Sequence, residues 1–321
     1  MNTGHKQAWE MLCGMDNILL LTHRSPDGDA IGSIFALALA LKKAGKNVMC
    51  KTDRVPSSLS VAAVSDMEGD FEPSYIVTVD VADKKLLGDE LCALYGDKVD
   101  LCIDHHGTNV EFAKTTLLDA SAAAACEVLY DMFVAGGVEI TADIAKELYI
   151  GLATDTGCFR YGNTTSKTMR TAAELMDKGV DTVFINTEIF ETKTREYADF
   201  ERLALNNMTN YFDGRCALML ITRDMYEKSG LDEADDKAIN GVPRQIQGVL
   251  VGITLKEKPE GKGWRVSMRS KDPVCASDIC AMLGGGGHKL AAGCELDCGK
   301  DEALEKILGA VKTVLDKADN K

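Results

Sequence analysis

The amino-acid sequence predicts an α/β protein of two domains: an N-terminal, mostly parallel sheet flanked by helices, and a smaller C-terminal α/β domain. Three observations predict this. The 321 residues are enough for two cores, short apolar runs alternate with helical patterns in the first half, and that alternation changes after about residue 180. We expect the first domain at residues 1–190, a helical linker at 191–210 and the second domain at 211–321.

The first half alternates predicted strands with predicted helices. Residues 17–22, NILLLT, form an apolar run that ends in a polar residue, which is typical of a buried parallel strand. Residues 28–44 carry apolar side chains at helical spacing and stop at Gly45. Further strands are predicted at 48–52, 75–80 and 99–104, and further helices at 121–135 and 142–153. Such an alternation indicates a parallel sheet.

The second half has a different pattern. Residues 183–207 are mainly helical and charged, as expected of a linker. Three strand candidates follow Arg215, in the runs CALMLIT, GVLVGITLKE and GWRVSMRS, with short helices between them. An amphipathic helix over 302–315 completes the second domain.

Charge and composition limit the substrate class. A net charge of −14 argues against a protein that coats long nucleic acid, because such binding needs many Lys and Arg contacts. A small phosphorylated substrate is compatible, since metal ions supply positive charge locally. No apolar run reaches the roughly 18–20 residues of a membrane span, and the N-terminal MNTGHKQAWEM lacks signal-peptide features. We therefore expect a cytoplasmic protein without a membrane partner.

The eleven cysteines are scattered from Cys13 to Cys298. Their spacings do not match a tight zinc knuckle. We predict free, reduced cysteines that mostly pack in the core, with a zinc or redox role as the alternative.

Four of the five histidines lie in conspicuous motifs. In THRSPDGDAIGS, His23, Asp27 and Asp29 lie on a loop between a predicted strand and a predicted helix. Gly28 relaxes the backbone there, so the loop can turn all three side chains inward as metal ligands. An ordinary turn, with Asp29 near a helix start, is the alternative.

Three further features follow predicted strands or a helix. Asp80 ends a strand in VTVDVAD, where a carboxylate is costly unless it is paired, and a helix cap is the alternative. Asp104-His105-His106 follows VDLCI, and neutral imidazole is the commonest protein ligand for transition metals. Asp155 ends an apolar helix, and Arg160 lies five residues later as a candidate phosphate clamp. A plain turn is the alternative for both of these last features. The strand-end residues lie where open α/β sheets bind ligands.

In this order, HRSPDGD, VDVAD, IDHHGTN and TDTGCFRY resemble the four motifs of the DHH phosphoesterase superfamily. GGGGHKLAAG is similar to the glycine-rich signature of the DHH-associated domain, so the resemblance spans nearly the whole chain. The pairing resembles stand-alone oligoribonucleases and 3′-phosphoadenosine 5′-phosphate phosphatases, together with their cyclic di-AMP phosphodiesterase relatives.

The resemblance implies two manganese ions, and the ligand types also admit magnesium or cobalt. One ion would be held by His23, Asp27 and Asp80. The other would be held by Asp29, Asp80, His105 and Asp155, so that Asp80 bridges both. His106 would stabilise charge on the phosphoryl oxygens, with Asp104 orienting a histidine.

The resemblance also implies a substrate-binding loop. The backbone of Gly285, Gly286 and Gly287 would approach a phosphate, and His288 and Arg269 would pair with it. A Walker P-loop is excluded because Lys289 is followed by Leu290. A glycine run that serves only as a flexible turn is the alternative.

The implied function is hydrolysis of short oligoribonucleotides or small nucleotides to mononucleotides, by water that two metal ions activate. The sequence does not separate pApA, cyclic di-AMP and 3′-phosphoadenosine 5′-phosphate as substrates, and it leaves a homodimer open. A manganese pyrophosphatase-like enzyme is one alternative, which the GGGGH motif disfavours. A non-catalytic nucleotide sensor is the other.

Overall fold

The computed structural model describes residues 1–52, 55–62 and 69–319. The chain divides into two compact units, Met1–Thr192 and Lys193–Lys321. Within the described ranges, no helix is both long enough and apolar enough to cross a membrane. All eleven cysteines are free.

The first unit contains the predicted parallel sheet. Its five strands are all parallel and lie in the order β2-β1-β3-β4-β5. The elements in chain order are α1 (His5–Cys13), β1 (Ile18–Leu21), α2 (Gly28–Lys43), β2 (Val48–Lys51), β3 (Tyr75–Val79), α3 (Asp89–Tyr95), β4 (Leu101–Asp104), β5 (Thr115–Leu118), α4 (Ala125–Gly136), α5 (Ala142–Asp155), α6 (Ser166–Asp177) and α7 (Thr182–Asn186), followed by a π-helical turn, Thr187–Glu191.

Several elements differ from the sequence-based expectation. Helices α1, α3 and α6 are additions to the predicted helices, and strand β5 is an addition to the predicted sheet and pairs with β4. Helix α4 begins at Ala125, later than the predicted residue 121, because Asp119 accepts hydrogen bonds from both the backbone N and the Oγ of Ser121 and holds this segment in a turn.

Both faces of the first sheet are covered. Ile18 and Leu20 of β1 belong to the larger core, which also contains buried residues of α1, α2, α4 and α5. Leu19 and Leu21 point to the opposite face and pack in a smaller core, beside Leu87. This alternation explains why the strand is apolar throughout.

Glycines let α2 approach α5 closely. A Cβ atom at Gly28 would lie 2.3 Å from Thr154 Oγ1, and one at Gly32 would lie 2.4 Å from the carbonyl oxygen of Glu147. On α5, a Cβ at Gly151 would lie 2.7 Å from Asp29 Oδ1. The glycines therefore bring the first turn of α2 against the C-terminal half of α5.

The second unit contains a six-stranded mixed sheet in the order β10-β11-β9-β8-β7-β6. Strands β7 and β8 are parallel, and the other neighbouring pairs are antiparallel. The elements are α8 (Arg195–Asn206), β6 (Met208–Tyr211), β7 (Cys216–Ile221), α9 (Arg223–Ser229), β8 (Val251–Glu257), β9 (Trp264–Ser270), α10 (Ala276–Met282), β10 (Gly286–His288), β11 (Ala291–Leu296) and α11 (Lys300–Asp319). The segment expected as a linker, 191–210, thus contains α8 and the start of β6.

The glycine run differs from the open loop that the sequence predicts. Gly286–His288 forms strand β10, which pairs with β11. The backbone N of Gly285 donates a hydrogen bond to the carbonyl oxygen of Cys280, and a Cβ at Gly285 would lie 2.4 Å from the Cβ of Cys294. The N–H of Gly285 is therefore used to end α10, and its lack of a side chain allows close packing on β11.

Candidate metal centre

Three neighbouring strands end at one site. His23 lies two residues beyond β1, Asp80 directly follows β3, and His105 directly follows β4. In the sheet, β1 lies between β2 and β3. The next strand in the chain, β2, is therefore on one side of β1, and the strand after it, β3, is on the other side. Open parallel sheets bind ligands at such a switch point, outside the carboxyl ends of the strands.

The six residues expected as metal ligands come together, and His106 joins them. They form three overlapping groups whose donor atoms lie within 4.8 Å of one another: His23, Asp27 and Asp80; Asp29, His105 and Asp155; and Asp80, His105 and His106. The groups share Asp80 and His105, so they make one continuous cluster.

Asp80 lies at the centre of the cluster. Its Oδ2 is 3.6 Å from Nε2 of His23, and its Oδ1 is 3.6 Å from Nε2 of His105. The residue is 3% exposed, and Oδ1 has no hydrogen-bond partner among the described residues. It also has a left-handed backbone, with φ of 60°, held by a hydrogen bond from its N to the carbonyl oxygen of Ile103. A buried carboxylate oxygen without a hydrogen bond costs free energy unless a cation binds it. The left-handed backbone of this residue adds a further cost.

Both histidines turn Nε2 towards the carboxylates. Nδ1 of His23 lies 3.0 Å from the carbonyl oxygen of Arg24, and Nδ1 of His105 lies 3.3 Å from that of Ala122. A carbonyl oxygen only accepts, so Nδ1 carries the proton in each ring. This leaves Nε2 as the ligand atom, with the orientation that metal-binding histidines usually have.

Asp27 is both a helix cap and a member of the cluster. Its Oδ1 accepts hydrogen bonds from the backbone N of Asp29 and of Ala30, each at 3.1 Å, and so caps α2. The same oxygen lies 3.9 Å from Nε2 of His23. The turn and the ligand interpretations of this motif are therefore compatible.

Asp29 is held by the start of helix α4. It is 1% exposed, and its carboxylate accepts from the backbone N of Ala125 at 2.6 Å and of Cys126 at 3.0 Å. Its Oδ2 lies 3.7 Å from Nε2 of His105. Both N–H groups lie in the first turn of α4, where they have no partner within the helix, so they are available to Asp29. The helix terminus therefore stabilises this carboxylate at the site.

The packed carboxylates disturb one another. Burial and the charge of Asp29 raise the pKa of Asp155 to about 8, and burial and the charge of Asp80 raise the pKa of Asp29 to about 6. Burial opposes protonation of His23, but the carboxylates of Asp27 and Asp80 outweigh it and raise its pKa to about 11. The cluster thus favours added positive charge, and its oxygen and imidazole donors fit divalent cations.

His106 is oriented by a buried carboxylate. Its Nδ1 donates to Oδ1 of Asp104 at 2.8 Å, and Oδ2 of Asp104 accepts from Nδ2 of Asn109 at 2.6 Å. Burial lowers the pKa of His106, but the hydrogen bond to Asp104 together with the charges of Asp80, Asp104 and Asp155 outweighs burial and raises the pKa to about 9. Asn109 lies in the IDHHGTN motif, and the sequence analysis did not assign it a role.

A cavity of about 310 Å³ opens over the cluster. It is lined by His23, Arg24, Ser25, Asp27, Asp80, Leu86, His105, His106 and Asp155. Arg160, the predicted phosphate clamp, is not among these residues, and its Nε donates to the carbonyl oxygen of Gly157 at 2.5 Å. Arg24, which sequence reasoning missed although it lies in the first motif, is the arginine among the lining residues.

The remaining predicted residues lie in the second unit. Arg269 on β9 and His288 on β10 are both paired with Ala291, from opposite sides of β11. Directly opposed residues project from the same face of a sheet, so Arg269 and His288 share one face. The structure therefore places these two predicted substrate residues in one row.

His5, which looks incidental in the sequence, has acidic neighbours. A donor atom of its ring lies within 4.8 Å of donor atoms from Asp119 and Asp131. Lys167 Nζ already lies 2.5 Å from Asp131 Oδ2, which supplies positive charge to this group.

Comparisons with known proteins agree with this architecture. The DHH family, N-terminal domain, matches residues 17–152, and the DHHA1 domain matches residues 220–317. The bifunctional oligoribonuclease and PAP phosphatase NrnA of Thermus thermophilus is 33% identical over 94% of this chain and 91% of its own. Its Bacillus subtilis namesake is 28% identical over 93% and 95%, respectively. The crystal structure of an exopolyphosphatase-related protein from Bacteroides fragilis has the same fold, with a TM-score of 0.85, 24% identity and 96% coverage of both chains.

The parallel sheet and all of the aspartate–histidine cluster at its switch point except Asp155 lie in the region that matches the DHH family. Strands β8 to β11 of the second sheet lie in the region that matches the DHHA1 domain, and β6 and most of β7 precede it. The chain therefore belongs to the DHH family, and it is a phosphoesterase hydrolase.

Proposed function

We propose that this chain is a two-metal, manganese-dependent phosphoesterase that hydrolyses short oligoribonucleotides and small nucleotides to mononucleotides. The observation that carries the proposal is the carboxylate of Asp80. Its two oxygens face two different histidines, His23 and His105, at equal distances of 3.6 Å. A carboxylate placed in this way is suited to bridge two cations.

The proposed ligand sets follow the groups around Asp80. His23, Asp27 and Asp80 would hold one ion, and Asp29, Asp80, His105 and Asp155 would hold the other. Carboxylate oxygens with imidazole nitrogens suit manganese, and magnesium or cobalt can occupy similar donor sets. Asn163 supports the second set, since its Nδ2 donates to the backbone oxygen of Asp155 at 3.1 Å.

When bound, two such ions lower the pKa of a water molecule and neutralise charge on the phosphoryl oxygens. The side chain of His106 supplies a further donor. Because Asp104 holds Nδ1, the ring is fixed and kept protonated, and it is suited to donate a hydrogen bond to a phosphoryl oxygen. We therefore assign His106 as a catalytic residue and Asp104 as the residue that positions it.

We assign substrate binding to the second unit. Arg269 and His288 share one face of its sheet, and both side chains can pair with a phosphate. Gly286 of the neighbouring edge strand has open space where a Cβ would lie and so leaves the backbone accessible to a ligand. Gly285 and Gly287 also pack closely, since a Cβ at Gly287 would lie 2.7 Å from the carbonyl oxygen of Ala291. We keep all three glycines in the proposed substrate-binding segment. Arg160 is left as a more remote phosphate contact. Catalysis is thus assigned to the predicted domain of residues 1–190, and the substrate-binding role of the three glycines, Arg269 and His288 to the predicted domain of residues 211–321.

The names of the relatives support the substrate class. Two relatives that match over more than nine-tenths of this chain are named for oligoribonuclease and PAP phosphatase activities. The net charge of −14 is compatible with a short substrate and disfavours a long one. We therefore propose pApA, 3′-phosphoadenosine 5′-phosphate and cyclic di-AMP as substrates to be ranked.

A parallel turnover assay tests the proposal. Chelator-treated protein is reloaded with Mn²⁺, Mg²⁺ or Co²⁺ and supplied with pApA, cyclic di-AMP, short RNA, 3′-phosphoadenosine 5′-phosphate or pyrophosphate. We expect mononucleotide release with manganese from at least one nucleotide substrate. Turnover of pyrophosphate alone would favour the pyrophosphatase alternative, and nucleotide binding without turnover would favour the sensor.

A further inference from the structure

Three residues outside the acid–histidine groups line the same cavity: Arg24, Ser25 and Leu86. We call the pair Arg24 and Leu86 the rim. The backbone N of Arg24 donates to the carbonyl oxygen of Leu86 at 2.7 Å, so the two residues are held side by side. Leu86 is 42% exposed, so a ligand in the cavity can reach it.

The position of Arg24 is determined by its neighbours on both sides. Its carbonyl oxygen accepts the hydrogen bond from Nδ1 of His23 that orients this ring. Gly88, with φ of 83°, lies beside its stem: a Cβ at Gly88 would be 3.7 Å from both Cβ and Cδ of Arg24. The arginine is thus anchored at its base, and it is an exposed residue that lines the cavity. Its guanidinium carries a permanent charge.

The rim and the cluster differ in exposure and in charge. The cluster consists of carboxylates and imidazoles around the buried Asp80, and it would serve the scissile phosphate through its ions and His106. Arg24 lies on the exposed side of the same cavity. A guanidinium there suits a second phosphate, because its planar fork pairs with two phosphate oxygens.

Resting on the proposed function, we infer that the rim selects substrates that contain a phosphate–ribose–phosphate unit. Arg24 binds the phosphate one ribose away from the scissile group, and Leu86 packs against the sugar or the base. A 5′-phosphorylated dinucleotide and a nucleoside 3′,5′-bisphosphate both contain this unit. One rim therefore accounts for both substrate types at a single cluster.

The test compares pApA with ApA, which differs only by lacking the 5′-phosphate. In the manganese-loaded full chain, we expect Arg24→Gln to lower kcat/KM for pApA about tenfold or more, as for loss of a charge-assisted hydrogen bond. For ApA, we expect the same substitution to change kcat/KM by less than about twofold. Arg24→Lys should have an intermediate effect, since the charge stays but the fork is lost.

Leu86→Ala should raise KM for both dinucleotides to a similar extent, because its contact carries no charge. Lys85→Gln is the matched control, since Lys85 is an exposed cation next to Leu86 that does not line the cavity. Lys85→Gln should leave kcat/KM unchanged for both pApA and ApA. Equal losses on pApA and ApA in Arg24→Gln, or no loss on either, would overturn the inference.

If the proposed hydrolytic function is wrong, the experiment gives a result that differs from a failure of the rim. If the wild-type chain hydrolyses neither dinucleotide, both remain intact and titration calorimetry measures their affinities directly. A loss of affinity for pApA alone in Arg24→Gln then supports the rim as a binding device without catalysis. An unchanged affinity for pApA overturns the inference in this case too.

Discussion

Oδ1 of Asp80 and Nε2 of His105 lie 3.6 Å apart at the ends of the neighbouring strands β3 and β4. His105 carries its proton on Nδ1, which faces a carbonyl oxygen, so two lone pairs face each other across this gap. Burial lowers the pKa of His105, but Asp29, Asp80 and Asp155 outweigh burial and raise it. The gap therefore requires a proton or a cation.

We expect Asp80→Asn to weaken both proposed metal sites, because an asparagine side chain offers one neutral oxygen where the aspartate offers two charged ones. Turnover should fall by more than about 100-fold, which exceeds the loss usual for a residue that only orients a metal ligand. Metal analysis and a manganese titration measure the effect. Asp83→Asn is the control, since Asp83 caps a short helix through the N of Lys85 and lies outside the cluster. Retention of two ions per chain in Asp80→Asn would refute bridging.

Manganese affinity should rise with pH between about 6 and 9. The folded, metal-free protein has a raised pKa at Asp155, about 8, and at His23, about 11. A ligand must be deprotonated to bind an ion, so protons compete with the metal until the pH passes these values. Calorimetric titrations in buffers of different ionisation enthalpy count the protons released. An affinity independent of pH in this range would contradict the assigned ligands.

Asp104→Asn should lower kcat while both ions are retained. The substitution weakens the hydrogen bond that fixes His106 and removes the charge that keeps its pKa high. A loss of about 10- to 100-fold is expected for a residue that orients a group at a metal site. Asp97→Asn, on an exposed side chain, serves as the control. If Asp104→Asn released an ion, Asp104 would belong to the metal ligands instead.

His288→Ala should raise KM about tenfold and leave the metal content unchanged. His288 lies in the second unit and shares a sheet face with Arg269, so its removal takes away one phosphate donor. Steady-state kinetics and metal analysis on the same preparation separate the two effects. Loss of metal would show that the assignment of this histidine to the substrate is wrong.

Gly151→Ala should destabilise the fold by about 1–3 kcal/mol, the usual range for overpacking. The new methyl group would lie 2.2 Å from Cys126 Sγ and would press on Asp29. Gly309→Ala is a matched helical control with nothing within 4 Å, and it should stabilise by about 1 kcal/mol. Denaturant unfolding of both variants gives the comparison. Equal effects would refute the close packing of α5 at Asp29.

Much of this protein can be predicted from local patterns. The apolar run of β1 and the helical spacing of α2 specify a buried strand and its following helix, because side-chain periodicity reflects burial. The motifs around His23, Asp80, His105 and Asp155 identify a family, whose members share one parallel sheet. The order of these motifs thus predicts the fold class and most of the cluster.

Tertiary structure decided what local patterns do not contain. Arg160 follows Asp155 closely in sequence, but the hydrogen bond to Gly157 and the lining of the cavity favour Arg24 over Arg160 beside the cluster. Gly285 looks like its glycine neighbours, yet its N–H ends a helix. The sequence by itself determined which chemical groups are available and on which elements they lie. Which of them meet depends on contacts between residues distant in the chain, such as the N–H groups of α4 that hold Asp29, and packing alone fixes these.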